Sequence, residues 1–367
     1  MKYSLDATAA EPAYLQLYLL LRRDIVAGVY PYGAKLPSKR MLAAELGISL
    51  VTVEHALAIL ADEGYVGTRE RSGCYVTFHE GDRFAAAPPP AVEKRAVLPH
   101  GAPDHPAAQG FPYSVLARTM RRVMSEYGAD ILVKSPNRGC ERLRRAICSY
   151  LARSRGIFVL PEQVVIGSGA EYLYGLVVQM LGRERVFAVE DPCYEKIRAV
   201  YRAHGVCFEP LAIGEEGIDS AVLAGVRASV LHVTPYRSFP SGVTASASKR
   251  REYLSFVNER DGYLIEDDFD SEFTVSAKVE DTIFSLDTAG RVIYMNTFTK
   301  TVAPAVRVGY MVLPLALLPL FEERVGFYSC TVPTFEQYVL AELLEGGDFE
   351  RHINRQRRKM RREAAPR

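Results

Sequence analysis

The sequence predicts a multidomain protein in which an α+β winged helix-turn-helix precedes an α/β domain with a mainly parallel sheet. Three patterns support this prediction. Two short helices with a tight turn between them come first, and two β-rich runs around a glycine turn follow. Near-continuous apolar strands then alternate with helical segments. The predicted strands are "VVIGSG", "RVFAVEDP", "SVLHVTP", "YLIEDDF" and "RVIYMNTFT". A chain of 367 residues is long enough for about two or three domains.

Composition and charge limit the choice of function. The 45 basic and 44 acidic residues give a net charge of +1, so a nucleic-acid interface has to be sought in local patterns. The six cysteines lie far apart without a C-x-x-C pair, and no basic leader precedes an apolar run. We therefore expect reduced thiols, a cytoplasmic protein and no metal site. We also expect no membrane partner, since the apolar stretches are too short to span a bilayer.

The first domain begins with three predicted helices. The first covers residues 12–27, where a proline suits a helix start and apolar side chains recur at helical spacing. The second begins at the N-cap Ser38 and ends at Gly47, and the third begins at Ser49 and ends at Gly64. In a helix-turn-helix the second helix of the pair enters the major groove, so the third helix is the predicted recognition helix.

A hairpin and local cations complete this domain. The runs "YVGTRE" and "CYVTF" flank "RSG" and predict a β-hairpin wing. The side chains predicted to contact DNA lie on the second and third helices and in this wing: Lys39, Arg40, Ser49, Thr52, His55, Arg69 and Arg71. We predict that residues 1–78 form the DNA-binding domain, that residues 79–98 are an alanine- and proline-rich linker, and that residues 99–367 form the second domain.

Residues 1–78 resemble the GntR-type DNA-binding domain. The stretch "KLPSKRMLAAELGISLVTVEHALAILADEGYVGTRERSGCYV" is similar to it in order and spacing. One difference is that Leu50 stands where such proteins commonly have arginine, and leucine cannot donate a hydrogen bond to guanine or phosphate. Winged helices also serve as protein-interaction modules, and the equal numbers of basic and acidic side chains in this segment leave that alternative open.

The second domain resembles fold-type I pyridoxal-phosphate enzymes, the PLP-dependent transferase-like class. The segment "NTFTKTVAPAVRVGY" is similar to the one that bears their Schiff-base lysine, and "GSGAE", "FPSG" and "IEDDF" precede it in the family's order. The resemblance implies that Lys300 is a buried amine that binds the cofactor aldehyde, and that Asp267 keeps the pyridine nitrogen protonated. It also implies a phosphate site formed by Ser168, Gly169, Ala170, Thr297, Thr299 and Arg307.

The combination of the two domains resembles the MocR-type subfamily of transcriptional regulators. That resemblance implies a homodimer that binds a double-stranded DNA operator, carries pyridoxal 5'-phosphate on Lys300 and senses an amine or amino acid effector. Phe269 replaces the tyrosine that supports the cofactor's phenolic oxygen, although its ring can still pack beside the cofactor. Phe239 replaces the asparagine of true aminotransferases. These differences favour cofactor binding over turnover.

Three functions remain open on the sequence alone. The first is a regulator with weak or no transaminase activity, which motif order favours. The second is a PLP-dependent aminotransferase with an accessory DNA-binding domain. The third is a truncated remnant without ligand switching, because residues 99–367 lack the small C-terminal domain into which fold-type I chains normally continue.

Overall fold

The computed structural model describes these residues: 3–6, 11–69, 72–79, 110–269, 271–273 and 281–364. The chain divides into two compact units, Met1–His100 and Gly101–Arg367. Among the described helices, none is both long and apolar enough to cross a membrane. Arg71 and residues 80–98 of the predicted linker lie outside the described residues.

The first unit contains three helices and a two-stranded antiparallel hairpin. Its elements are α1 (Ala13–Val26), α2 (Lys39–Leu46), α3 (Leu50–Asp62), β1 (Val66–Arg69) and β2 (Gly73–Val76). The predicted helix starts are confirmed, because the hydroxyl oxygens of Ser38 and Ser49 accept the N–H groups of Met41 and Thr52. The predicted end of α2 is confirmed as well, since Gly47 adopts a left-handed conformation there. The winged helix-turn-helix is therefore present.

The core of the first unit lies between α1 and α3. Leu17 and Leu21 of α1 and Val53 and Leu60 of α3 are fully buried and belong to one apolar cluster. These residues recur at helical spacing, so each helix turns one apolar stripe inward. The hairpin adds buried valines to the same cluster. This packing leaves the opposite face of α3 exposed to solvent.

The second unit is an α/β domain built on an eight-stranded sheet. Its strands are β3 (Val164–Gly167), β4 (Phe187–Asp191), β5 (Phe208–Gly214), β6 (Gly217–Ile218), β7 (Val230–Val233), β8 (Tyr263–Asp267), β9 (Val292–Thr297) and β10 (Gly309–Val312). Their order is β3-β10-β9-β8-β7-β4-β5-β6. β10 runs antiparallel to both neighbours and β6 runs antiparallel to β5, whereas the remaining pairs are parallel. The predicted mainly parallel sheet is confirmed.

Helices cover both faces of this sheet. They are α4 (Tyr113–Tyr127), α5 (Glu141–Arg155), α6 (Ala170–Leu181), α7 (Glu195–Ala203), α8 (Ser220–Gly225), α9 (Ala247–Glu259), α10 (Ile283–Leu286), α11 (Leu318–Arg324), α12 (Thr334–Glu345) and α13 (Asp348–Ala364). In β3, Val164 and Ile166 join the apolar cluster that includes α5 and α12, whereas Val165 joins the one that includes α6 and α7. Alternate side chains of one strand are thus buried on opposite faces, as expected for a covered parallel sheet.

Candidate functional site

The carboxyl ends of three parallel strands meet at one edge of this sheet. Ser168 follows β3 directly, and Asp267 and Thr297 are the last residues of β8 and β9. β10 lies between β3 and β9 and runs in the opposite direction, so the loop that leads into it brings Arg307 to the same edge. In open α/β sheets, ligands bind outside the carboxyl ends of the strands. The predicted cofactor residues therefore gather where a ligand is expected.

The turn from β3 into α6 is an uncapped helix start with an arginine beside it. Gly169 is the N-cap of α6 with a φ of +95°, and no side chain caps this helix. A Cβ atom at Gly169 would lie 2.9 Å from Arg307 Nη2, so glycine allows the guanidinium to reach the turn. The N–H of Ser168 donates to Thr331 Oγ1 at 3.1 Å. The helix begins at Ala170, where the first N–H groups have no intrahelical acceptor and the helix dipole is positive.

The two predicted threonines hold the loop that presents Arg307. The hydroxyl of Thr299 donates to the Val306 carbonyl at 3.1 Å, and the hydroxyl of Thr297 lies 3.1 Å from the Val308 carbonyl. Thr297 Oγ1 also accepts the N–H of Thr299 at 3.2 Å. The hydroxyl protons are therefore used inside the loop, and the threonines support the position of Arg307.

A carboxylate that was not predicted as a site residue lies in the same turn. Glu171, the second residue of α6, accepts a hydrogen bond from Arg307 Nη2, and its other oxygen lies 3.4 Å from Lys196 Nζ. Burial alone would raise the pKa of Glu171, but the charge and the hydrogen bond of Arg307 outweigh it and lower the pKa. The motif "GSGAE" contains Glu171, but its partners Lys196 and Arg307 are 25 and 136 residues away in sequence, so the motif does not reveal the pairing.

Asp267 sits in a buried polar network. It is 3% exposed, accepts a hydrogen bond from the Tyr174 hydroxyl, and has His232 Nε2 at 3.6 Å from the same Oδ2 atom. His232 Nδ1 lies 2.7 Å from the Tyr201 hydroxyl, which fixes the orientation of the ring. Burial and the nearby Asp267 raise the pKa of Tyr174 well above its ordinary value, so Tyr174 stays a donor. Both described contacts of the carboxylate use Oδ2, and neither uses Oδ1.

Lys300 lies against an aromatic ring. Its Nζ is 5.1 Å from the centroid of the Phe269 ring, which is a cation–π distance. The prediction that Lys300 is buried is wrong, because its side chain is partly exposed in the turn that follows β9. Phe239, the other unusual aromatic residue, is 38% exposed and meets the Tyr194 ring edge to face at 6.3 Å. The Phe269 ring offers the amine a face but no hydrogen bond.

A buried glutamate fixes the loop that contains Phe239. Glu190, at the end of β4, accepts the Thr234 N–H at 3.1 Å and the Ser238 hydroxyl at 2.7 Å. Burial raises the pKa of Glu190 to about 8, because these two hydrogen bonds compensate only part of the desolvation. These two hydrogen bonds connect the end of β4 to the segment that follows β7.

The starts of α2 and α3 present several of the predicted DNA contacts of the first unit. The Ser49 hydroxyl caps the helix and lies 2.8 Å from Thr52 Oγ1. Lys39 Nζ pairs with the Glu54 carboxylate at 3.0 Å, and both side chains are 46% exposed. Leu50 is 42% exposed, so it faces solvent at the position where the GntR resemblance implies arginine. The exposed face of this helix therefore combines hydroxyl, apolar and ionic groups.

The other predicted contacts differ in their surroundings. Arg40 is exposed at the start of α2. The His55 ring stacks on Tyr14 with centroids 4.0 Å apart, which fixes its orientation. In the wing, the Arg69 guanidinium lies 4.6 Å from the centroid of the Tyr75 ring. The predicted contact Arg71 lies outside the described residues.

Comparison with known proteins identifies both units. Residues 13–76 match the family model of bacterial regulatory proteins of the gntR family, and residues 98–365 match aminotransferase class I and II. The probable rhizopine catabolism regulatory protein MocR of Rhizobium meliloti is 30% identical over 96% of this chain and 76% of its own length. The chain belongs to the MocR-type family of GntR regulators.

Other MocR-type relatives cover nearly the whole chain. The uncharacterized HTH-type transcriptional regulator YdeL of Bacillus subtilis is 33% identical over 98% of this chain and 79% of its own length. The HTH-type pyridoxine biosynthesis transcriptional regulator PdxR of Corynebacterium glutamicum is 28% identical over 94% of this chain and 75% of its own length.

Solved aminotransferases share the fold of the second unit. Kynurenine aminotransferase of Pyrococcus horikoshii, solved in complex with PMP, aligns with a TM-score of 0.65 and 27% identity over 72% of this chain and 68% of that chain. LysN, an α-aminoadipate aminotransferase of Thermus thermophilus solved with N-(5'-phosphopyridoxyl)-L-leucine, aligns with a TM-score of 0.63 and 29% identity over the same shares.

The side chains at the sheet edge of this MocR-type chain fit pyridoxal 5'-phosphate. This edge has an amine at Lys300, a buried carboxylate at Asp267, and the backbone N–H groups at the uncapped start of α6 beside Arg307. An aldehyde, a ring nitrogen and a phosphate are the groups that such a set would bind. Among the described contacts, the ion pair of Arg307 with Glu171 places a negative charge against the binding of phosphate.

Proposed function

We propose that this regulator binds pyridoxal 5'-phosphate on Lys300 and senses an amine or amino acid effector at the same site. The observation that supports this most strongly is that Lys300, Asp267, Arg307 and the start of α6 all lie at one edge of the sheet. The relatives' names also favour a small-molecule signal, because they include a pyridoxine biosynthesis regulator and a rhizopine catabolism regulator.

Each residue at this edge has its own task. When bound, pyridoxal phosphate supplies an aldehyde that reacts with primary amines and a ring that withdraws electrons. Lys300 would supply the amine that anchors the aldehyde, and the buried Asp267 carboxylate would keep a proton on the ring nitrogen. The first N–H groups of α6 and the Arg307 guanidinium would hold the phosphate.

The surroundings of Lys300 favour retention of the cofactor over turnover. Phe269 contacts the ammonium through its ring face and has no group that accepts or donates a proton. Phe239 likewise supplies no hydrogen bond where aminotransferases have asparagine. Proton transfer at this site therefore lacks two polar residues, and we expect transaminase activity to be weak or absent.

DNA binding uses the first unit in pairs. Equal numbers of acidic and basic side chains in residues 1–78 predict a modest affinity for one copy, so a homodimer on two half-sites is the arrangement we propose. An effector that binds one of two pre-existing states more tightly shifts the population toward that state. The operator affinity then depends on occupation of the Lys300 site.

A spectroscopic titration tests the cofactor part of the proposal. Full-length protein is titrated with pyridoxal 5'-phosphate, and the visible absorption band of lysine-bound cofactor is recorded for wild type, Lys300→Ala and Lys359→Ala. Lys359 is a matched control because it is an exposed lysine on α13. We expect the band in wild type and in Lys359→Ala and its loss in Lys300→Ala. A band of equal size in all three proteins would mean adventitious reaction with surface lysines.

Fluorescence anisotropy tests the DNA part. An operator is first selected from a random duplex pool, and its complete form is compared with a single half-site. Two linked contacts strengthen binding through a high effective concentration, so we expect the complete operator to bind at least about tenfold more tightly. Equal affinities for the two duplexes would contradict the paired arrangement.

A further inference from the structure

The contact between Glu171 and Arg307 has a consequence for phosphate binding. Arg307 Nη2 is the nitrogen that lies against Gly169 at the start of α6. The same nitrogen donates to Glu171 Oε2. A phosphate group at the uncapped helix start therefore meets a guanidinium nitrogen that is already bound to a carboxylate of the protein.

The carboxylate has a second cation within reach. Glu171 Oε1 lies 3.4 Å from Lys196 Nζ, so Glu171 bridges Arg307 and Lys196. Glu171 is 25% exposed and Lys196 is 45% exposed, which leaves both side chains room to move. Two anions on one guanidinium nitrogen repel each other, and a small rotation of Glu171 toward Lys196 relieves this repulsion.

We propose that Glu171 is an internal competitor of the ligand phosphate for Arg307, and that Lys196 holds Glu171 when phosphate is bound. The inference rests on the proposed function, because it concerns the phosphate of the same ligand. In this arrangement Glu171 lowers the affinity for a phosphorylated ligand, whereas the affinity for an unphosphorylated ligand does not depend on Glu171.

The test compares two ligands that differ only in the phosphate. Pyridoxal 5'-phosphate and pyridoxal are each titrated by visible absorption into full-length protein. The quantity compared is the affinity for pyridoxal 5'-phosphate divided by the affinity for pyridoxal. Because both ligands offer an aldehyde to Lys300, the change in this ratio between variants isolates the effect on phosphate binding. We expect Glu171→Gln to raise this ratio about fivefold, in line with a partly exposed ion pair, and to leave the affinity for pyridoxal unchanged.

A matched control and a double-mutant cycle sharpen the test. Glu141→Gln is the control, since Glu141 also lies in the first turn of a helix and pairs with an arginine, Arg145. Lys196→Met should lower the ratio about threefold in the wild-type background and change it little in Glu171→Gln. Equal effects of Lys196→Met in both backgrounds would mean that Lys196 attracts the phosphate directly, which would overturn its proposed role. Thermal melts verify that each variant is folded.

The outcomes separate this inference from the proposed function. If wild type binds pyridoxal 5'-phosphate and Glu171→Gln leaves the affinity ratio unchanged or lowers it, the proposed competition by Glu171 is contradicted. The proposal that the protein binds the cofactor then still stands. If only Glu171→Gln binds the cofactor, the competitor is supported and the cofactor function of the wild type fails. If neither protein forms a band that requires Lys300, both ideas fail.

Discussion

The starts of α3 and α6 are the two helix N-termini where this chain is expected to meet phosphate groups, and they are built differently. The hydroxyl of Ser49 caps α3 and uses one of its first N–H groups. α6 begins at Gly169 and has no side-chain cap. The difference suits the two kinds of phosphate, because a duplex is also held by side chains and the wing, whereas a small ligand needs the helix N–H groups themselves.

Each of these two helices also carries a glutamate that is paired with a cation from another segment of the same unit. In the first unit, Lys39 and Glu54 are each 46% exposed, so solvent and salt screen their attraction. In the second unit, Glu171 is only 25% exposed beside Arg307. Arg307 is 50% exposed, so the two pairs differ in the burial of their glutamates. We therefore expect Glu171 to have a larger effect on ligand binding than Glu54 has on DNA binding, because burial strengthens the interaction between charges.

Loss of Arg307 should have the largest effect. Arg307→Gln removes a charged donor from the phosphate site, and we expect the affinity for pyridoxal 5'-phosphate to fall about 50-fold, as for a charge-assisted hydrogen bond. The affinity for pyridoxal should not change. Arg202→Gln, an exposed arginine on α7, is the control. Equal weakening of both ligands would show that Arg307 supports the fold of the site instead of binding phosphate.

Glu190 differs from Glu54 and Glu171 because its described partners are uncharged hydrogen-bond donors. Burial raises its pKa to about 8, above the value of 4.5 expected in an unfolded chain, so the folded protein holds more protons between these values. Stability should therefore fall as pH rises from 6 to 8. Glu190→Gln should reduce that fall by about 1–2 kcal/mol, measured by urea unfolding. Parallel pH profiles of wild type and variant would contradict this.

Removal of the α3 cap should have a smaller effect. Ser49→Ala leaves one N–H group of α3 without its acceptor and should lower the stability of the first unit by about 1 kcal/mol. Hydrogen exchange at α3 amides measures the loss locally. Ser49→Asp restores an acceptor and should restore protection. Unchanged exchange in Ser49→Ala would mean that packing against α1 alone holds the helix start.

The Lys39–Glu54 pair should have the smallest effect. Glu54→Gln frees Lys39 for DNA phosphates, and we expect the operator affinity to rise about threefold at low salt, with the gain disappearing as salt increases. Anisotropy at several salt concentrations measures this, with Glu141→Gln in the second unit as a control. A loss of affinity would instead indicate that Glu54 accepts a hydrogen bond from a base such as cytosine.

Much of the fold could be predicted from local pattern. The caps Ser38 and Ser49, the glycine turn in the hairpin, and the apolar strands β3, β4, β7, β8 and β9 are all visible in the sequence. These signals depend on neighbouring residues only. β5, β6 and β10 were not predicted. The antiparallel pairing of β10 with β3 and β9 is a long-range feature that its apolar run does not reveal.

The candidate site divides in the same way. Motif order singled out Lys300, Asp267 and Arg307 as candidates, but none of their contacts could be predicted. Tyr174 and His232 reach Asp267 from α6 and β7, and neither residue belongs to a motif that the sequence displays. Side chains that approach from different elements leave no periodic signal in a single sequence.

The sequence by itself determined the two units, the order of the motifs and the residue types available at the sheet edge, because helix caps, turns and apolar periodicity act over a few residues. Only the tertiary structure decided which charges meet. The insertion of β10 brought Arg307 beside α6, and the packing of α7 on α6 brought Lys196 within 3.4 Å of Glu171. Charge pairing depends on distances in space, and chain folding sets those distances across 25 to 136 residues of sequence.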